Sequence, residues 1–174
     1  MKYLINLIII LSLLAHGCHA QKKIKTIEEY KVPHDSIAAL VKQAKQDSSN
    51  YVGKSFSKFE KLLDKRGLKI TQVSIADCDC KKVNPQYVYA ITVWFMKKEE
   101  KNVESGSKLL LEPFIIVRFT ESKPFEKALS LIKQYKGYYN EEVAAFYADA
   151  VIKSLYFDYS DDIYLLPHRQ PSEQ

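Results

Sequence analysis

The chain has 174 residues, 47% of them hydrophobic, and a formal net charge of +5. This length and hydrophobic content suffice for one domain with an apolar core. The basic excess is small and dispersed, and only Arg66, Arg118 and Arg169 are arginines. Because arginine is the side chain that binds phosphates and bases bidentately, this composition argues against nucleic-acid binding.

Residues 1–20 have the pattern of an export signal, with a positive start at Lys2, an apolar run over residues 4–14 and a small-residue end at Ala20. The run is much shorter than the roughly 20 residues that span a bilayer, which favours a signal peptide over an anchor. Cleavage after Ala20 is the favoured prediction, and lipidation at Cys18 is the alternative. The first predicts a periplasmic or secreted bacterial protein, and the second a membrane-tethered lipoprotein.

Two helices are predicted first along the mature chain. Residues 21–32 are polar and indicate a loose lead-in, after which Pro33 opens a helical pattern. A second, short helix is predicted from a capping box of Ser57 and Glu60, and it should end at Gly67.

Three strands are predicted next, at residues 68–76, 86–96 and 108–120. The second is the clearest, because it is rich in β-branched and aromatic residues. Both of its faces are apolar, which predicts a central strand that is covered on both sides. A polar turn and a charged loop separate the three strands.

Two more helices complete the pattern, at residues 125–135, which Gly137 ends, and at 141–157, which Asn140 caps. The predicted fold is therefore a single α+β domain over residues 33–157. It consists of a three-stranded antiparallel meander with two preceding helices on one face and two following helices on the other face or at one end. Residues 158–174 are predicted to be a C-terminal tail.

The helix pair, the meander and the Gly53-Lys54-Ser55 turn before the short second helix resemble small bacterial envelope modules of the β-lactamase-inhibitor-like type. The small lipoprotein of the outer-membrane assembly machinery belongs to this class. The resemblance covers about residues 33–120. Because members of the class bind proteins and are not enzymes, the resemblance implies a binding role, and it transfers no functional residue.

Cys78-Asp79-Cys80 is the sharpest local motif. In an oxidising envelope, two neighbouring thiols usually pair, so Cys78 and Cys80 are predicted to form a structural disulfide. The ring would be tight and strained, and strained disulfides are more easily reduced, so a redox site stays open as an alternative. A metal site would need further ligands, and the mature chain offers only the distant His34 and His168.

No catalytic motif is complete. Gly53-Lys54-Ser55 lacks the earlier glycine of a phosphate-binding loop, because Ser48 occupies that position. The Ser-x-x-Lys matches lack the partner motifs of penicillin-recognising enzymes. His34 and His168 are predicted to lie in a loop and in the tail. The sequence therefore predicts a protein without cofactor or metal that is not an enzyme, with a small hydrolase or thiol-redox enzyme as the less favoured hypothesis.

Tyr156, Tyr159 and Tyr164 lie in an acidic and aromatic run that begins at the end of the last predicted helix. Tyrosine suits protein interfaces, so these three are interface candidates, although the run could also fold back on the domain. The predicted function is an exported, non-catalytic protein-binding module of the cell envelope. The main alternative is a periplasmic immunity or inhibitor protein that blocks an exported toxin or enzyme. A carrier of a small apolar ligand on the face of Trp94 is a further hypothesis. A protein partner is expected, nucleic acid is not, and a membrane is expected only if Cys18 is lipidated.

Overall fold

Four α-helices and one four-stranded antiparallel sheet form the described part of the chain, which in this computed structural model comprises residues 26–76, 86–101 and 110–159. The predicted α+β class is confirmed, and the sheet has one strand more than predicted. In chain order the elements are α1 (Ile27–Gln46), α2 (Phe56–Asp64), β1 (Gln72–Ile75), β2 (Tyr87–Trp94), β3 (Phe114–Pro124), α3 (Phe125–Gln134), α4 (Glu141–Tyr147) and β4 (Ile152–Asp158), with 3-10 turns at Ser48–Asn50 and Lys98–Lys101.

The fourth strand replaces the second half of a predicted helix. The sequence predicts one helix over residues 141–157, but α4 ends at Tyr147 and β4 pairs antiparallel with β3. Apolar residues four apart lie on one face of either structure. Val143 and Tyr147 are buried on α4, whereas on β4 Ile152 and Phe157 are buried and Leu155 packs against the same core. The open edge of β3, which lies far away in sequence, decides between them.

Helix α1 begins earlier than predicted, within the supposed lead-in. The Thr26 hydroxyl accepts a hydrogen bond from the backbone N–H of Glu29 at 3.2 Å, and the Glu29 carboxylate accepts one from the backbone N–H of Thr26 at 2.8 Å. This capping box starts the helix at Ile27, and Pro33 lies inside it. The stretch is ordered because Tyr30 and His34 are both buried.

The predicted helix ends are largely confirmed, and one cap is wrong. Gly67 and Gly137 follow α2 and α3 with φ angles of +84° and +77°, a conformation that favours glycine. Asn140 caps α4, since its side-chain oxygen accepts a hydrogen bond from the Val143 N–H at 3.0 Å. The N-cap of α2 is Ser55, whose side chain makes no capping bond, so the predicted box of Ser57 and Glu60 is not formed.

The strand order is β1-β2-β3-β4, and the register separates two faces. One row of the inner face runs through Val73, Val93, Ile115 and Phe157. Every described helix contributes to the same cluster as this face, with Val41 and Ala44 from α1, Phe56, Phe59 and Leu63 from α2, Ala128 and Leu131 from α3, and Val143 and Tyr147 from α4. β2 is central, as predicted, but these helices share one face of the sheet instead of dividing between two.

Both outer strands are partly covered along their edges. At β1, the Val73 N–H donates to the Gly137 carbonyl at 2.8 Å. At β4, the Gly53 N–H donates to the Ile152 carbonyl at 2.8 Å, and the Ile152 N–H donates to the Lys54 carbonyl at 2.9 Å. The glycine-containing turn before α2 therefore satisfies the backbone of an edge strand, which discourages edge-to-edge association.

Candidate functional site

The face of the sheet opposite the helices has a row of large apolar side chains. Register places Trp94 beside Phe114 and Ile116 beside Tyr156. The ring centroids of Trp94 and Phe114 are 6.5 Å apart, and those of Phe114 and Tyr156 are 6.3 Å apart. We call these four residues the outer aromatic face. None of them belongs to the cluster that packs against the helices.

The part of this face on β3 and β4 is open. The Tyr156 side chain is 58% exposed. A cavity of about 390 Å³ lies beside it, lined by Ile116, Arg118, Ser154, Leu155 and Tyr156. A large exposed aromatic residue beside a concave surface is typical of an interaction site, because burying it on binding removes much apolar area from water.

Arg118 is the cation of this surface. It lies on β3 opposite Ser154 of β4, and both side chains are exposed. Within the described ranges Arg118 has no ion-pair partner, whereas Arg66 pairs with Asp47 at 2.6 Å. A guanidinium that no described carboxylate pairs with can bind a carboxylate bidentately.

The three predicted interface tyrosines have different outcomes. Tyr156 lies on the outer aromatic face, and its role in an interface stays a prediction. Tyr159 contacts α1 instead: its hydroxyl accepts a hydrogen bond from Lys45 Nζ at 3.1 Å, and the same Nζ lies 5.2 Å from the ring centroid. It also packs against the core. Tyr164 lies outside the described residues.

The predictions for the N-terminal segment and for the cysteines also fall outside the described residues. These include the export signal over residues 1–20, Cys18 as a lipid site, and the disulfide between Cys78 and Cys80, all of which stay predictions. His34 is described, and it lies on α1 instead of in a loop. It is 1% exposed, and its Nδ1 lies 2.9 Å from the carboxylate of Asp35.

A polar cluster that the sequence did not reveal joins the start of α1 to the segment before β3. Lys101 Nζ lies 2.6 Å from the Glu112 carboxylate and donates to the Gln72 side chain at 2.6 Å. The Tyr30 hydroxyl donates to the backbone carbonyl of residue 111 at 2.5 Å. Burial raises the pKa of Glu112, while Lys101 and His34 act in the opposite direction. These contacts hold separate elements together, which is a structural role.

A second cavity, of about 510 Å³, lies between α2 and the start of α4. Acidic and basic side chains alternate around it, and its lining includes no histidine, cysteine or serine; the charged members are Glu60, Lys61, Asp64, Lys69 and Glu141. Burial raises the pKa of Tyr139 in its wall, and Glu60 raises it further. In the part of the chain that the structure describes, no group of three side chains could hold a metal ion.

No family model matches the chain, and no curated protein and no solved structure is significantly similar to it. The resemblance to envelope modules therefore stays a prediction from sequence. None of the described helices has the length and apolar character that crossing a membrane requires.

Proposed function

We propose that this chain is an exported, non-catalytic protein-binding module of the bacterial cell envelope, and that it binds through the outer aromatic face. Export is supported by the sequence of residues 1–20. The observation that carries the binding role is the position of Tyr156, which is 58% exposed on a sheet face that the described helices leave uncovered.

The composition of this surface supports binding over catalysis. Tyrosine and arginine are the side chains that contribute most often to interface energies, and Tyr156 and Arg118 are both exposed here. The cavity beside them is lined by apolar, hydroxyl and guanidinium groups. It contains no pair of a nucleophile and a base, which acyl or phosphoryl transfer would require.

Site-specific photo-crosslinking in cells of the source organism tests the proposal. A benzophenone side chain at position 156 should capture one defined protein. The matched control is Val32, which is 73% exposed on α1 and is not one of the four residues of the outer aromatic face. The same label at position 32 should not capture that protein. Equal capture from both positions, or none from position 156, would contradict the proposal.

The immunity or inhibitor role is the second candidate. An exposed tyrosine beside an arginine that no described residue pairs with fits a single tight partner, because such residues concentrate binding energy. If the protein captured at position 156 is an exported enzyme or toxin, adding the mature chain at a one-to-one ratio should abolish its activity. Unchanged activity would favour the module that only binds.

A further inference from the structure

We infer that the outer face between β3 and β4 binds an extended peptide segment in which a carboxylate and an apolar side chain are two residues apart. Arg118 and Ser154 would hold the carboxylate, and Ile116 and Tyr156 would contact the apolar side chain. This inference rests on the proposed function and adds the chemistry of the partner.

The polar half of the site is built by register. Arg118 and Ser154 are directly opposite each other on neighbouring strands, so their side chains emerge side by side from the same face. Ser154 offers a hydroxyl donor, and Arg118 offers a guanidinium that no described residue neutralises.

The apolar half lies one step along the same two strands. Ile116 and Tyr156 are register partners. Ile116 precedes Arg118 by two residues on β3, and Tyr156 follows Ser154 by two residues on β4. Two residues of a strand span about 6.6 Å, and the side chains on one face of any extended chain repeat at the same distance. A peptide lying along β3 and β4 therefore matches both halves when acid and apolar residue are at positions i and i+2.

The extent of the surface favours a peptide over a small carboxylate. Beyond the cavity of about 390 Å³, the aromatic row continues from Tyr156 to Phe114 and Trp94. An extended chain can cover successive rows with alternate side chains, whereas a small acid would contact only the first.

Trp94 allows a direct measurement, because it is the only tryptophan in the chain. The probe is the capped peptide Asp-Asp-Ile-Tyr-Leu-Leu, which has the required spacing and is also the sequence of residues 161–166 of this chain. Titration into the mature protein, with excitation selective for tryptophan, should give a saturable change in Trp94 emission. A capped peptide with both Asp residues changed to Asn should bind about tenfold more weakly, since one charge-assisted contact is lost.

A double-mutant cycle identifies the carboxylate site. Arg118→Gln should weaken binding of the Asp peptide by about tenfold and should leave the Asn peptide unaffected. Tyr156→Ser should weaken both peptides. Arg66→Gln is the matched control, because Arg66 is paired with Asp47 away from the face, and it should change neither affinity. All three side chains are at least a third exposed, so the variants should fold, which circular dichroism checks.

Two results would overturn the inference. If Asp and Asn peptides bind equally to the wild-type protein, the carboxylate is not recognised. If the Asp peptide binds only after Asp161→Asn, Asp162→Asn and Ile163→Ser are introduced together, the occupant is this chain's own segment instead of a partner. Either result leaves the proposed function standing as long as position 156 still crosslinks a defined protein, so the two failures are distinguishable.

Discussion

The two faces of the sheet use alternate residues of the same strands and yet have different surroundings. On the inner face, Ile115 is 0% exposed and packs in a cluster to which every described helix contributes. On the outer face, its chain neighbour Ile116 and the facing Tyr156 lie outside that cluster. Both faces carry large apolar residues, and the described helices pack against the inner one.

The largest expected effect comes from the neighbouring isoleucines of β3. Ile115→Ala should lower the free energy of unfolding by about 2–5 kcal/mol, because a cavity forms where helices meet the sheet. Ile116→Ala should lower it by less than about 1 kcal/mol, because no described helix packs on the outer face, so the truncation opens no cavity beneath a helix. Urea unfolding followed by circular dichroism measures both.

In binding, we expect the opposite ranking of the two variants, with the larger loss for Ile116→Ala. Ile116→Ala should weaken crosslinking from position 156, whereas Ile115→Ala should leave it unchanged at a temperature where that variant is folded. Similar losses of stability in the two variants would show that the outer face is packed as tightly as the inner one and would remove the distinction.

A smaller effect is expected at the glycines beside the two strand edges. Gly53 and Gly137 have φ angles of +76° and +77°. A Cβ on Gly53 meets nothing within 4 Å, and one on Gly137 lies 3.5 Å from the Val73 carbonyl oxygen, an ordinary contact. Alanine at either position should therefore cost about 1–2 kcal/mol through backbone strain alone.

Equal losses for Gly53→Ala and Gly137→Ala, measured by thermal unfolding, would confirm that conformation, and not space, requires glycine at both edges. A much larger loss at Gly137 would indicate that the contact with β1 is tighter than the ordinary distance implies.

Local signals account for the parts of the fold that were predicted correctly. Gly67, Gly137 and Asn140 act on the backbone of their own helix, so their roles are readable from neighbouring residues. β4 was missed because its alternative, a longer α4, has nearly the same apolar spacing, and only pairing with β3 distinguishes them. Long-range pairing leaves no mark in a single short window of sequence.

The candidate site also contains residues that the sequence identified and residues that only the structure identifies. Tyr156 was identified from composition, since an aromatic residue in an acidic run suggests an interface. Arg118 was not, because its place in the proposed site depends on lying opposite Ser154, which is a property of register. Tyr159 lies in the same acidic and aromatic run as Tyr156, but Lys45 holds it against α1. Composition alone therefore could not distinguish the two tyrosines.

The smallest expected effect concerns two charged groups, the partly buried Glu112 before β3 and the exposed Arg118 on the outer face. Burial raises the pKa of Glu112 above its usual 4.5, and the opposing effects of Lys101 and His34 are smaller. The folded state therefore holds the proton more tightly than the unfolded state. This contribution to stability is complete below pH 4.5 and is lost as the pH rises through the higher pKa of the folded state.

The pH dependence of unfolding should consequently differ between wild type and Glu112→Gln. Relative to the variant, the wild type should lose stability as the pH rises from 4.5 towards neutrality. Arg118→Gln, as the matched change on the outer face, should leave this slope unaltered, because no titrating partner faces Arg118 among the described residues. A relative gain in wild-type stability over that range would mean that the ion pair with Lys101 outweighs burial. Glu112 would then stabilise the fold in its charged form, through Lys101.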